Sequence, residues 1–244
     1  MRISTREIEI RRLGRVEYQH ALDLQAGLVE QRRRGEIGDL LLLLEHPPVI
    51  TLGVKTRNNR TNIVASDEQL ASEGVAVFET GRGGDVTYHG PGQLVGYPIF
   101  DLNPDRRDVH QYVRDIEQAL IDAVGAFGIT AGRVAGLTGI WVGCEGAERG
   151  VGAPRATEPG GVQGPPPLEM KKLAAIGVRI SRWITSHGFA LNVSTNLSHF
   201  DLIVPCGIQD KGVTSMDRLL GRAVAMAEVE TAVEQAFQAI FRRN

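Results

Sequence analysis

Cys206 stands in "FDLIVPCGI", where its neighbours shape its setting. Pro205 fixes its own φ and holds Val204 extended, and Gly207 removes a side chain next door. The thiol is therefore expected at a turn just past an apolar strand. The competing reading is a buried structural cysteine, the commonest setting for a free thiol. A thiol of pKa ~8.5 is only a few per cent thiolate near neutrality. A cysteine nucleophile thus needs a base or a positive charge beside it. The candidates are His46, His89, His187 and His199, together with Lys171 and Lys172 at the start of "KKLAAIG". A lysine leading into an apolar strand can be partly desolvated, which lowers its pKa and suits it to act as a base; the plainer reading is a solvated strand end. His20 and His110 fall in helical stretches and are expected at the surface. Cys144 is incidental.

The second concentration of chemistry is "TGRGGDVTYHGPGQ" (80–93), with five glycines, a proline, an arginine and a histidine. No Gly-Lys-Ser/Thr follows, so it is not a phosphate-cradling P-loop. A tight hairpin needs two to five loop residues, and this stretch has about twelve. A loop this long inside a compact domain is usually functional, and Arg82, Thr87, Tyr88, His89 and Gln93 can point into a cavity.

These groups need elements to place them. Residues 16–34 read as a helix closed by Arg32–Arg34 and stopped by Gly35. "DLLLLLE" reads as a strand buried on both faces and "VITLG" as a second. Ser66 with Gln69 resembles a capping box. "VAVFET" leads into the glycine loop and "QLVGYPIFDL" out of it. Asp108 opens a helix with apolar residues from Val109 to Phe127 at 3.6-residue period. "GIWVG" is a strand. "KLAAIGVRI" and "HGFALNV" are paired strands, with "SRWITS" between them continuing the first. "MAEVETAVEQAFQAIFRR" is a closing amphipathic helix. Residues 145–169 hold eleven Gly and Pro and almost no large apolar groups, so they read as a flexible insertion. Strands outnumber helices and several are joined by short turns. The expected fold class is α+β, a mixed or antiparallel sheet flanked by helices, in a single domain spanning 1–244.

Charge sums to −2 over 244 residues, which argues against a globally basic nucleic-acid binder. Two cysteines make no disulfide framework, and no Cys/His spacing suits zinc, so no metal is expected. The start has no apolar signal-like run, and the longest apolar run is far below the ~20 residues of a membrane span. These features suggest a cytoplasmic protein with reduced thiols and no membrane partner.

Three stretches, "RGGDVTYHGPGQLVGYPI", "KLAAIGVRISRWITSHGFALNV" and "FDLIVPCGI", resemble the octanoyltransferases of lipoate biosynthesis. "LLLLEHPPVITLG" and "GLTGIWVG" resemble that family too. The resemblance implies a fold like the catalytic domain of biotin and lipoate ligases. It also implies transfer of an octanoyl group from octanoyl-acyl carrier protein to a lysine of lipoyl domains, those of 2-oxoacid dehydrogenase E2 subunits and the glycine cleavage H protein. By motif, Cys206 matches the acyl-thioester nucleophile and Lys172 the lysine that lowers its pKa and shuttles protons. Substrate contacts fall on Arg82, Gly83, Gly84, Asp85, Val86, Thr87, Tyr88 and His89, on Ala175, Ile176 and Gly177, and on Gly188, Phe189 and Ala190. Loop N–H groups, with His89, would stabilise the oxyanion. No ATP or other cofactor is required, because thioester to amide runs downhill. Arg32–Arg34 and Arg106–Arg107 are candidates for docking an acidic carrier protein. Trp183 stands where a small residue is common and would reshape the acyl channel. The alternatives are an ATP-dependent lipoate- or biotin-type ligase, an amidotransferase between lipoyl domains, a cysteine hydrolase and a non-catalytic carrier-binding module.

Overall fold

The computed structural model describes residues 7–56, 59–143, 170–204 and 212–242. The element order is β1 (Glu9–Arg15), α1 (Tyr18–Arg33), β2 (Leu40–Glu45), β3 (Val49–Leu52), α2 (Asp67–Ser72), β4 (Ala76–Glu79), β5 (Val86–His89), β6 (Gln93–Ile99) and α3 (Val109–Gly125). There follow β7 (Gly132–Val134), β8 (Leu137–Val142), β9 (Lys171–Ser181), β10 (Ile184–Asn192), β11 (Gly212–Val213), α4 (Met216–Leu220) and α5 (Met226–Phe241). One sheet runs β1-β2-β6-β10-β9-β8-β7, with β11 also on β9, and a smaller one runs β4-β3-β5. β1–β2, β3–β4 and β9–β11 are parallel pairs and the others antiparallel, so the sheets are mixed.

The five leucines of β2 explain the layering. Leu41 and Leu43 enter a core shared with α3 and α5, while Leu40, Leu42 and Leu44 enter one shared with α1. None of the five is more than 1% exposed, which is why their run does not alternate. A third core joins the small sheet to the turn of helix over Leu197–Leu202. Two caps read from sequence are present: Ser66 accepts from the Gln69 N–H and Asp108 from the Gln111 N–H. No described helix is long and apolar enough to cross a membrane.

Three expectations change. The glycine stretch is not one long loop, because β5 lies inside it. Its flanking strands, β4 and β6, belong to different sheets, so they form no hairpin. "SRWITS" does not continue a strand. Ser181 pairs with Ile184 across a two-residue turn, with Arg182 and Trp183 at φ 51° and 67°. That is the left-handed geometry a tight right-twisted hairpin requires. Trp183 therefore sits at the hairpin tip, beneath the Arg107 guanidinium at 6.0 Å. The insertion at 145–169, Cys144 and Cys206 lie outside the described residues.

Candidate active site

The glycine loop is held by close backbone approach. Gly83 N–H donates to the Val178 carbonyl of β9, and Lys55 N–H donates to Gly84 O. A Cβ on Gly53 would stand 2.3 Å from Gly84 O, and one on Gly177 would stand 2.7 Å from Gly83 O. Both glycines are there because backbone passes over them. Gly177→Ala is expected to displace the 82–85 segment and lower stability by about 1–3 kcal/mol, measurable by chemical denaturation.

Arg82 staples the same segment from inside. It is 7% exposed and donates to Thr51 O at 2.7 Å, Asp85 O at 2.6 Å, Gly83 O at 3.1 Å and Thr51 Oγ1. A buried guanidinium satisfied this way shapes the loop first.

The loop, β9 and β10 wall a cavity of about 1830 Å³. Arg82, Gly83, Gly84, Asp85, Val86, Thr87, His89, Lys172, Ala175, Ile176, Gly177, Gly188, Phe189 and Ala190 all line it. Tyr88 does not. Alternation along β5 turns its ring the other way, into the third core, where its hydroxyl meets His199 Nδ1 at 2.6 Å and its ring meets Phe200.

Lys172 is half-buried, and cross-strand pairing sets it opposite Trp141 with Nζ 4.7 Å from the ring centroid. An indole face so placed attracts the ammonium. β10 ends at Asn192, and β11 takes the free side of β9: Gly212 pairs with Lys171 and Val213 with Lys172. Thus the strand that follows the undescribed cysteine segment in sequence lies directly on the lysine strand.

Sequence reading named His46, His89 and His187 as candidates and missed Tyr18, Tyr97 and Glu117, which line the cavity. Tyr18, His46, His89, Tyr97 and His187 form a ring cluster with neighbouring centroids 5.0–6.3 Å apart. Burial pushes His46 and His187 down to about 4 and His89 to about 3, with Arg82 adding repulsion at the last two. All three are therefore neutral. Burial pushes the Tyr18 hydroxyl up to about 12. Glu117, 5% exposed on α3, accepts from Gly139 N–H and from Arg133 Nε, both at 3.0 Å. The signal was available: an acid one residue after Ile116 and three before Leu120 lies on the apolar stripe of its helix.

The docking arginines are largely committed elsewhere. Arg32 is 6% exposed and bound to Asp39 at 2.8 Å. Arg33 pairs with Glu30, and Arg34 with Glu36. Arg106 binds Asp115 at 2.7 Å over the Phe241 ring. Arg32 and Arg106 are thus ion-pair residues of the fold and not a docking face. His20 and His110 are exposed, as expected. Among the described residues there is no cluster of acids, histidines and cysteines able to hold a metal.

The family model described as "Lipoyl protein ligase A/B catalytic domain" matches residues 17–238. An octanoyltransferase of Myxococcus xanthus is 56% identical over 234 residues, which span 96% of this chain and 59% of that protein. One from Solibacter usitatus is 50% identical over 95% of this chain and 92% of its own length. Among solved structures, a putative lipoate protein ligase from T. acidophilum with bound lipoic acid superposes with a TM-score of 0.66 at 14% identity. That match covers 96% of this chain and 86% of the other. A lipoate-protein ligase A bound with ATP gives 0.65, with 96% and 85% covered. Those likenesses speak to the fold, and they bear out the mixed sheet flanked by helices.

Proposed function

The chain belongs to the lipoyl protein ligase A/B catalytic-domain family, and within it we propose an octanoyltransferase that takes octanoyl from acyl carrier protein and gives it to a lysine of a lipoyl domain. The octanoyltransferase relatives make it an acyltransferase of lipoate biosynthesis. Donor, acceptor and covalent intermediate are the proposed part. One observation carries the reading: Lys172, the motif loop and β11, the strand next after the cysteine segment, all border one cavity.

The chemistry follows from those groups. Lys172 as an ammonium favours the Cys206 thiolate, or takes its proton when neutral. The thiolate adds to the donor's thioester carbonyl, and the carbon–sulfur bond to pantetheine breaks. Pantetheine leaves as a thiol, taking its proton from Lys172, which is left neutral. The acceptor lysine, as a free amine, adds to the new thioester. The bond to Cys206 breaks and an amide forms. Lys172 receives the proton the amine gives up. Thioester to thioester is nearly balanced and thioester to amide is downhill, so no ATP is consumed.

An eight-carbon tail buried at ~0.8 kcal/mol per CH₂ contributes roughly 5 kcal/mol of gross binding, and Ala175 and Ala190, paired across β9 and β10, supply small apolar wall. Ala175→Leu should lower transfer of octanoyl more than of butanoyl; equal loss for both would remove Ala175 from the lining. Gly188 is no clean probe, since a Cβ there would stand 2.2 Å from Gly96 O and disturb the sheet first.

The direct test is mass spectrometry of the protein mixed with octanoyl-carrier. The expected result is one octanoyl adduct on the peptide holding Cys206, cleared by a lipoyl domain. A Cys206→Ser protein that still joins octanoate to a lipoyl domain with ATP would overturn the reading in favour of a ligase.

A further inference from the structure

A line of hydrogen bonds runs from the motif loop to the lysine strand, and the groups at its two ends, an arginine that only donates and a carbonyl that only accepts, set its direction. Arg82 has only donors, and its Nε and Nη2 give to Thr51 Oγ1 at 3.1 and 2.9 Å. That hydroxyl therefore accepts from the guanidinium, whose Nη2 also gives to Thr51 O and Asp85 O. The hydroxyl hydrogen is left to donate, and His89 Nε2 lies 3.5 Å away.

The other end starts from a carbonyl. Asn192 Nδ2 donates to Thr214 O at 3.0 Å, so Asn192 Oδ1 accepts from Gln93 Nε2 at 2.9 Å. Gln93 Nε2 also donates to the Tyr88 carbonyl at 3.2 Å. Gln93 Oε1 can therefore only accept, and His89 Nδ1, at 2.8 Å from it, carries the proton. Thr214 N–H closes the line on Lys172 O at 3.0 Å. Thr51, His89, Gln93 and Asn192 are at most 6% exposed, so a reversed link would leave a buried group unpaired.

We propose that Gln93 and Asn192 are positioning residues of the site: they hold His89 as its Nδ1–H tautomer and pin Thr214, with β11, to the Lys172 strand. The proton sits on the Gln93 side, so His89 Nε2 is an acceptor. It cannot donate to a developing oxyanion, as the sequence reading expected; backbone N–H groups of the loop, or Lys172, must do so. The tautomer follows from the hydrogen bonds alone, while the kinetic consequence rests on the acyl transfer proposed above.

The test labels the histidines of the full chain with ¹⁵N and reads each ring nitrogen by long-range NMR near pH 7.5. The His89 signals are assigned by their loss in His89→Gln. The expected signature is a protonated Nδ1 and a bare Nε2, changed in Gln93→Met. A native protein protonated at Nε2, or a Gln93→Met protein with the native signature, overturns the proposal. Asn192→Leu keeps the volume but leaves Thr214 O unpaired. It should retain the His89 signature, since Tyr88 O still orients Gln93. Its kcat for octanoyl transfer to a lipoyl domain should fall about ten- to hundredfold with KM within about twofold. A raised KM at native kcat overturns the positioning role. A native protein with the expected signature and no octanoyl transfer overturns the functional reading and leaves the hydrogen-bond order standing.

Discussion

Lys172→Met is expected to lower kcat/KM for octanoyl transfer by about 10²–10⁴-fold, the usual worth of a placed acid–base group. The side chain is held from two sides. Cross-strand pairing puts Nζ 4.7 Å from the centre of the Trp141 ring, and β11 lies against its backbone on the other edge. Methionine keeps much of the apolar stem and removes the charge, so the loss should appear with the fold intact. Lys172→Arg then separates the two roles. A guanidinium keeps the positive charge beside the thiolate but gives up no proton near neutrality. The arginine protein should still acquire octanoyl on Cys206 and then fail to pass it to the lipoyl lysine, which a stalled adduct in the mass spectrum would report. If Lys172→Met transfers octanoyl at the native rate, the lysine has no part in the chemistry and the proposed mechanism falls with it.

What was legible in the sequence depended on how local the signal was. Helices α1, α3 and α5 and strands β2, β6 and β10 were legible because periodicity and caps lie within one segment. β5 was not, although Val86 and Tyr88 are both 1% exposed and alternate with Thr87. Four residues framed by glycines give too short a pattern to outweigh the turn signal around them. β1 was not, because "EIRRLGR" is a charged edge strand with Gly14 at φ 63°. At the site, motif residues were readable because backbone approach demands glycine at fixed spacing. Asn192 carried no signal. It ends an apolar strand, and its meaning comes from Gln93, ninety-nine positions away, and from Thr214. Arg82 was read as a substrate contact, and the reading did not show that it also ties the loop carbonyls of Gly83 and Asp85 to Thr51 of β3.

The same burial that gives the cavity its neutral histidines should make the protein lose stability in mild acid. His46, His89 and His187 have folded-state pKa values lowered from 6.5 to about 4, 3 and 4, chiefly by desolvation. Above about pH 6.5 both folded and unfolded chains hold them neutral, and they contribute no pH dependence. Below it the unfolded chain takes up protons that the folded chain refuses, so unfolding is favoured increasingly as pH falls. Each histidine costs about 1.4 kcal/mol per pH unit in that window, until the pH drops below its own folded value. Three together approach ~4 kcal/mol per unit, against a total stability of about 5–15 kcal/mol for an ordinary domain. The groups also oppose one another, because His46 and His89 lie 6.0 Å apart and charging either repels the other. Exposed carboxylates held low by neighbours, Glu9 and Glu36 among them, add little. Urea unfolding at pH 7.5, 6, 5 and 4.5 should therefore show stability nearly level at first and then falling ever more steeply. His187→Gln should reduce the limiting slope by about one proton. A stability that stays level from pH 7 to pH 5 would falsify the buried, neutral state of this cluster.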